Sequence, residues 1–358
     1  MARRPRRILP NEFYFLTIRT HQELFLLNAF GPIVGNRSQR RKAAAMARIC
    51  QKKADDITRI LQNAEDDARP SITLQQYKES VNSIIGAWLA KAVAFYKAEF
   101  YGCICMSDHI HLLVRVPSGK LSDFAGYFNG NVAKALNRKF GRTHQFWARR
   151  YSLEPVLDDD ALLERLIYMM ANPSKANLVS TIQHWPGFNT ACMLLEAKQL
   201  SFTFFNRTKW WRAKRPENIS PFLEVVTLKQ HVLPCFKDQQ HQSSTLVQRL
   251  EQKEQQLSID RKHDKKTVLG VEGLEQVSHL DRAKNPKHTS QPLCHASTKQ
   301  RRKEFLDLWR VFLEERKIAS EKYRDGDVDV VFPWGAFAPS KYPVALYQGQ
   351  KRVKKKAA

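Results

Sequence analysis

The chain reads as an α+β protein whose first 190 residues or so form an antiparallel sheet with helices packed on one or both faces. Three observations predict this. Runs rich in aromatic and β-branched residues alternate with stretches of helical spacing in the order strand, helix, hairpin, helix, strand, helix. Over 358 residues, 43% are hydrophobic and 10% aromatic, enough to bury a real core. Beyond residue 190 the periodicity fades, and from 237 to 303 Gln, Lys, Ser, His and Asp dominate, a composition that rarely folds alone. The expected division is therefore a domain over 1–190, a basic, polar linker over 191–303, and a small C-terminal element with a basic tail over 304–358.

Taken in order, Ala2 to Arg7 carries Arg3, Arg4, Arg6 and Arg7 around Pro5, which bars a helix, so a mobile basic arm is expected. Phe13 to Ile18 reads as a first strand ending near Arg19. Between about 38 and 67, Ala, Lys, Arg and Gln surround sparse apolar positions, which suggests an exposed helical insertion. Thr73 to Lys97 predicts a long core helix, with Val81, Ile84, Ile85, Trp88 and Leu89 on its apolar face. Phe100–Met106 and His109–Val116 are two strand-like runs joined by the polar break Ser107-Asp108. Ser122 is a plausible N-cap for a helix to about Lys139, closed by Gly141. Leu153–Leu157 reads as a strand, Asp158-Asp159-Asp160 as a helix N-terminus, and Ala161–Ala171 as a helix that Pro173 stops. Near the end, Phe305, Leu308, Trp309, Phe312 and Leu313 recover helical spacing, Val328–Phe332 has β propensity, and Pro333-Trp334-Gly335 is a turn.

The charge narrows the partners. Lys and Arg number 59 against 35 Asp and Glu, a formal net charge of +24 that exceeds what solubility requires. A polyanion is the natural partner, and nucleic acid held through counterion release is the first reading. Helix positions Arg138 and Lys139 run into Arg142, Phe146, Trp147, Arg149, Arg150 and Tyr151, mixing cations with rings that could stack on bases. Six scattered cysteines form no C-x-x-C pair, so neither a zinc ribbon nor a disulfide framework is indicated. With no apolar run of membrane-spanning length and no secretory signal core, a cytoplasmic, nucleoid-associated protein is expected.

His109 and His111 are two apart on a predicted strand, so both imidazoles point to one face and could share an ion. Tyr168 and Asn172 are four apart on a predicted helix and share a face too. The amide oxygen of Asn172 could complete a His, His, carbonyl set around a hard divalent ion, beside a tyrosine able to act as nucleophile. A core tyrosine and an Asn-Pro turn starter are the plain alternatives for these two residues.

Taken together, the motifs Met106-Ser107-Asp108-His109-Ile110-His111-Leu112-Leu113-Val114, Phe146-Trp147-Ala148-Arg149-Arg150-Tyr151 and Tyr168-Met169-Met170-Ala171-Asn172-Pro173 resemble the single-tyrosine HUH transposases, in particular the REP-associated tyrosine transposases. The resemblance covers the first strand and roughly residues 75 to 190. It implies a ferredoxin-like sheet, the HUH endonuclease fold, in which His109, His111 and Asn172 hold Mg²⁺ or Mn²⁺. It further implies that Tyr168 attacks single-stranded DNA near a hairpin to give a 5′-phosphotyrosyl intermediate. The arginines Arg3, Arg4, Arg6, Arg7, Arg19, Arg138, Arg142, Arg149 and Arg150, with Trp147, would then contact DNA. A phenol titrates near ~10, so its proton must be drawn off by a metal, a base or water. Two departures stand out: Phe15 follows Tyr14 where the family commonly has histidine, and Lys175-Ala176-Asn177 replaces its usual arginine, alanine, glycine.

Three other readings remain open at this point: a replication-initiator nickase of the same chemistry, a nucleic-acid-binding protein that keeps the fold without turnover, and a zinc-binding regulator using Cys103, Cys105, His109 and His111. The protein is expected to act as a monomer or homodimer.

Overall fold

The computed structural model describes residues 5–31, 36–64, 69–117, 119–282 and 292–337, and the backbone of 345–348 and 351–354. Its elements in chain order are β1 (Phe13–Arg19), α1 (Arg37–Asn63), α2 (Val81–Tyr96), β2 (Glu99–Cys105), β3 (His109–Arg115), α3 (Leu121–Lys139), β4 (Ser152–Val156) and α4 (Asp159–Lys175). There follow α5 (Ala191–Glu196), β5 (Leu200–Phe205), α6 (Arg207–Arg212), β6 (Leu223–Leu228), α7 (Gln239–His263), α8 (Gly270–Leu274), α9 (Lys299–Arg324), β7 (Ala345–Gln348) and β8 (Lys351–Lys354).

The α+β expectation is borne out. Strands β1 to β4 form one antiparallel sheet in the order β2-β3-β1-β4, the split β-α-β arrangement of a ferredoxin-like sheet. Alternation along the strands sends two sets of side chains to opposite faces. Tyr14, Leu16, Ile18, Ile110, Leu112 and Val114 join the core beneath α2 and α3, where Ile85, Leu89, Phe124 and Phe128 are buried. Phe15 and Leu113 face the other way, into a second core with Leu166, Met169 and Met170 of α4. A bulge between Phe100 and Gly102 lies under that helix.

Several element limits differ from the expectation for identifiable reasons. Helix α2 starts at Val81, not Thr73, because a capping box between Ser80 and Ser83 fixes its first turn while Thr73 pairs with Asn218. Ser122 does not cap α3; its hydroxyl pairs with that of Tyr151 at 3.0 Å. Helix α4 runs through Pro173 to Lys175, with Asp158 accepting from the Ala161 amide at its start. A proline inside a helix costs ~3 kcal/mol in isolation. Here the tail of α4 is buried at Met169 to Ser174 and held by Arg261, which donates to the Ser174 carbonyl at 2.9 Å.

The larger correction concerns residues 191–303. What composition presents as linker is mostly folded: β5 and β6 form a hairpin against α1 and α2, and α7 packs along α4 and α5. Only Gln242, Leu246 and Leu250 of α7 are buried, so its sequence looks solvated although one strip is in the core. Nor is α1 simply exposed, since Thr58 meets Thr203 of β5 hydroxyl to hydroxyl at 2.8 Å and Leu61 is buried. Residues 328–332 form no strand; Val330 and Phe332 instead pack on Ala319.

The described part of the basic arm is held in place. The Ile8 amide donates to the Gly335 carbonyl at 2.9 Å, Arg6 lies over the Tyr151 ring, and Arg7 lies near Phe312 and Trp334. Gly335 has φ +79° and a side chain there would press on Ile8 and Leu9, so the turn needs glycine. Among the described residues, no helix is long and apolar enough to cross a membrane.

Candidate active site

The β3 register opposes His111 to Thr17 and His109 to Arg19 of β1, so both imidazoles stand on the α4 face of the sheet. Each ring is tethered through Nδ1. His109 Nδ1 lies 2.7 Å from Asp108 Oδ1, and His111 Nδ1 lies 3.0 Å from Thr17 Oγ1. The Nε2 atoms are thereby left for a ligand, and the two ring centroids are 4.7 Å apart. Phe15 stacks on His111 at 5.0 Å. Burial, reinforced by the positive surroundings of His109, Arg19 and Arg165, holds His111 well below the usual histidine range, so it is a neutral imidazole at pH 7.

Because α4 continues through Pro173, Tyr168 and Asn172 keep helical spacing and project together. The Tyr168 ring meets His111 at 5.7 Å and Phe15 at 6.2 Å. Two cations from the same helix flank it: Arg165 Cζ is 4.9 Å and Lys175 Nζ 5.2 Å from the ring centroid. Both lie against the aromatic ring in cation–π contact. Their spacing from Tyr168, one turn before and two turns after, was readable in the sequence but carried no motif.

His109, His111, Tyr168 and Asn172 all line one cavity of 1960 Å³. Of the expected DNA contacts, Arg6, Arg7, Arg19, Arg149 and Arg150 line it as well. Arg19 pairs with Asp108 at 3.5 Å. Arg149 and Arg150 are exposed. Trp147 sits in an adjoining cleft, its ring half-buried and its Nε1–H donated to the Asn129 carbonyl at 2.8 Å. Arg138 and Arg142 line neither cavity, and Arg3 and Arg4 lie outside the described residues.

His295 was missed because it falls in the supposed linker. It adds alongside β4, its amide donating to the Pro155 carbonyl at 2.8 Å and its carbonyl accepting from the Leu157 amide at 2.9 Å. Its Nε2 lies 2.7 Å from Oε2 of buried Glu154, a residue of the cavity wall, and its ring packs edge-on against Phe15 at 5.8 Å.

The zinc reading fails on placement. Cys103 and Cys105 belong to the core under α2 and α3, on the face of the sheet opposite the histidines. Among the described residues, no three His, Cys, Asp or Glu side chains are grouped to hold a metal. A metal at His109 and His111 therefore needs a ligand of another type. Asn172 fits: it is buried, it lines the same cavity as the two histidines, and a carboxamide oxygen with two imidazoles suits a hard divalent ion.

Residues 69–165 match the family described as "Transposase IS200 like". The transposase resemblance read from the motifs is borne out over that stretch, which contains His109 and His111 and stops one helical turn short of Tyr168. Among solved structures, one titled "Structure of the REP associates tyrosine transposase bound to a REP hairpin" is 14% identical, covers 53% of this chain and 82% of its own, and has a TM-score of 0.33. No curated protein matches.

Proposed function

We propose that the protein is a metal-dependent single-stranded DNA endonuclease and strand transferase with Tyr168 as its nucleophile. The observation that carries this is the convergence of Tyr168 and Asn172 from α4 with His109 and His111 from β3 in one arginine-lined cavity. The phenol oxygen attacks a backbone phosphorus and the P–O3′ bond breaks, leaving a 5′-phosphotyrosyl adduct and a free 3′-OH. The phenol proton leaves to solvent and the departing 3′ oxygen takes one up. Rejoining reverses these bonds with another 3′-OH as attacker.

Within this reading Arg165 and Lys175 hold the Tyr168 ring in place through cation–π contact. Asp108 and Thr17 orient the imidazoles, and Arg149 and Arg150 grip flanking phosphates. His109, His111 and Asn172 would hold Mg²⁺ or Mn²⁺, which when bound supplies Lewis-acid polarisation of the phosphate. All four groups belong to one chain, which supports a site competent in a monomer. The substrate class follows from the charge of +24 and the aromatic content of the cavity wall, with hairpin-flanked single strands as the substrate to test.

The test incubates the full chain with labelled hairpin-flanked single-stranded DNA and Mg²⁺ or Mn²⁺, then resolves products on denaturing gels. A covalent adduct is expected, and Tyr168→Phe should abolish it while DNA binding stays. An adduct that survives Tyr168→Phe refutes the nucleophile. No adduct across a broad DNA library, with binding intact, leaves a binding protein without turnover.

A further inference from the structure

Helix α9 carries Phe305, Leu308, Trp309 and Phe312 at the spacing of an apolar helix face, which ordinarily turns toward a core. Only Phe312 of the four is buried. Phe305, Leu308 and Trp309 instead line the cavity that holds Tyr168 and the two histidines, and Leu308 is 60% exposed. The Phe305 and Trp309 rings lie nearly parallel, 14° apart in plane with centroids at 6.3 Å, one turn apart along the helix. Arg301 stands one turn before Phe305 on the same wall, and Arg6 and Arg7 line the cavity too.

An apolar strip left facing a cavity invites an occupant, and three features choose among them. At 1960 Å³ the space exceeds the ~300–1,000 Å³ of small-molecule sites, which favours a polymer. Its wall carries eight Lys and Arg against six Asp and Glu, and with the net charge of +24 this balance favours a polyanion over an apolar peptide or a second copy of this chain. Parallel rings one helical turn apart, reached from the same cavity as a nucleophilic tyrosine, suit planar bases stacked in succession. Resting on the proposed DNA chemistry, we propose that Phe305 and Trp309 form a base-stacking platform that holds the single strand beside the phosphate attacked by Tyr168. The platform is non-selective for sequence because every base offers a π face. The C-terminal segment is thus part of the substrate site, supplying the bases' contact while β3 and α4 supply the phosphate's.

The test uses the full chain carrying Tyr168→Phe, so that no strand is consumed, and measures affinity for an oligo-dT series of increasing length and for matched strands with abasic sites. Phe305→Leu/Trp309→Leu keeps an apolar wall but removes the rings, and Trp309→Tyr keeps a ring. Stacking predicts a loss of about tenfold or more in affinity for the double leucine variant and recovery toward wild-type binding with tyrosine. It also predicts that abasic substitution weakens binding of the parent chain but makes little difference to the double leucine variant. If base removal weakens the parent and the leucine variant by the same factor, or if the rings instead hold a dimer together in sedimentation, the platform is refuted. Adduct formation by the chain with Tyr168 intact is scored separately. Failure to form any adduct therefore overturns the nuclease reading, and unchanged binding by the leucine variant overturns only the platform.

Discussion

The His111 imidazole and the Tyr168 phenol meet edge to face, with centroids 5.7 Å apart and planes at 65°. One ring belongs to the sheet and the other to a helix across it, so the contact reports how closely α4 is seated on β3. Everything that seats this helix or fixes that imidazole should be felt in the chemistry.

Thr17 is the simplest lever on the imidazole, because its hydroxyl lies 3.0 Å from His111 Nδ1. Thr17→Val preserves shape and removes the bond. Mn²⁺ affinity, measured by titration calorimetry or by the manganese electron-spin signal, should fall by about 10- to 100-fold with the fold retained. Unchanged affinity would remove His111 from the ligand set.

His295→Ala should cost more than its position in a polar segment suggests. It strips the ring from Phe15 and leaves the buried Glu154 carboxylate with Ser152 as its remaining hydrogen-bond partner. A loss of about 1–3 kcal/mol in denaturant unfolding is expected. Adding Glu154→Gln should recover part of it, and strict additivity of the two changes would show that they are not coupled.

Gly102 lets α4 approach the sheet. A Cβ there would meet Met169 Cε at 2.4 Å and Leu166 Cδ2 at 3.0 Å. Gly102→Val should destabilise by about 1–3 kcal/mol and, by lifting Tyr168 from His111, slow adduct formation even where the chain is fully folded. Normal adduct rates in the folded variant would show that the helix tolerates the shift.

Glu224 offers a pH test. Burial alone would raise its pKa, but Asn206 and Lys91, with Lys209, outweigh burial and bring it below the usual carboxylate value. A depressed acid stabilises the folded state above its unfolded pKa of about 4.3 and loses that contribution as pH falls through the folded value. Glu224→Gln should therefore lower stability slightly at pH 7, by under about 1 kcal/mol for so exposed a group, and the difference should vanish in acid. A difference that persists in acid would assign the effect to packing.

The sheet was legible because period-two alternation and the hairpin break at Ser107-Asp108 are local signals, and spacing placed His109 with His111 and Tyr168 with Asn172 on shared faces, while their roles were implied by the resemblance alone. Pro173 misled because local propensity bars it from a helix, whereas tertiary burial and Arg261 keep the helix going. His295 and α7 were invisible for a different reason. Helix α7 buries one thin strip, and His295 acquires a role only by pairing beside β4, a contact between segments far apart in sequence. Arg165 and Lys175 flank Tyr168 at helical intervals, but a cation on a helix is usually solvated, so spacing alone could not single them out.

The bond between Ile8 and Gly335 has a consequence for how the protein comes into being. Strand β3 and helix α4 are synthesised before the turn at 333–335 that clasps the N-terminal arm. At ~5–20 residues per second, Gly335 emerges roughly ten to thirty seconds after Lys175. For that interval a nascent chain carries Tyr168, His109 and His111 without the part of the cavity wall that α9 supplies. The wall that α9 adds to the cavity and the bond between Ile8 and Gly335 therefore become available only after β3 and α4 have been made.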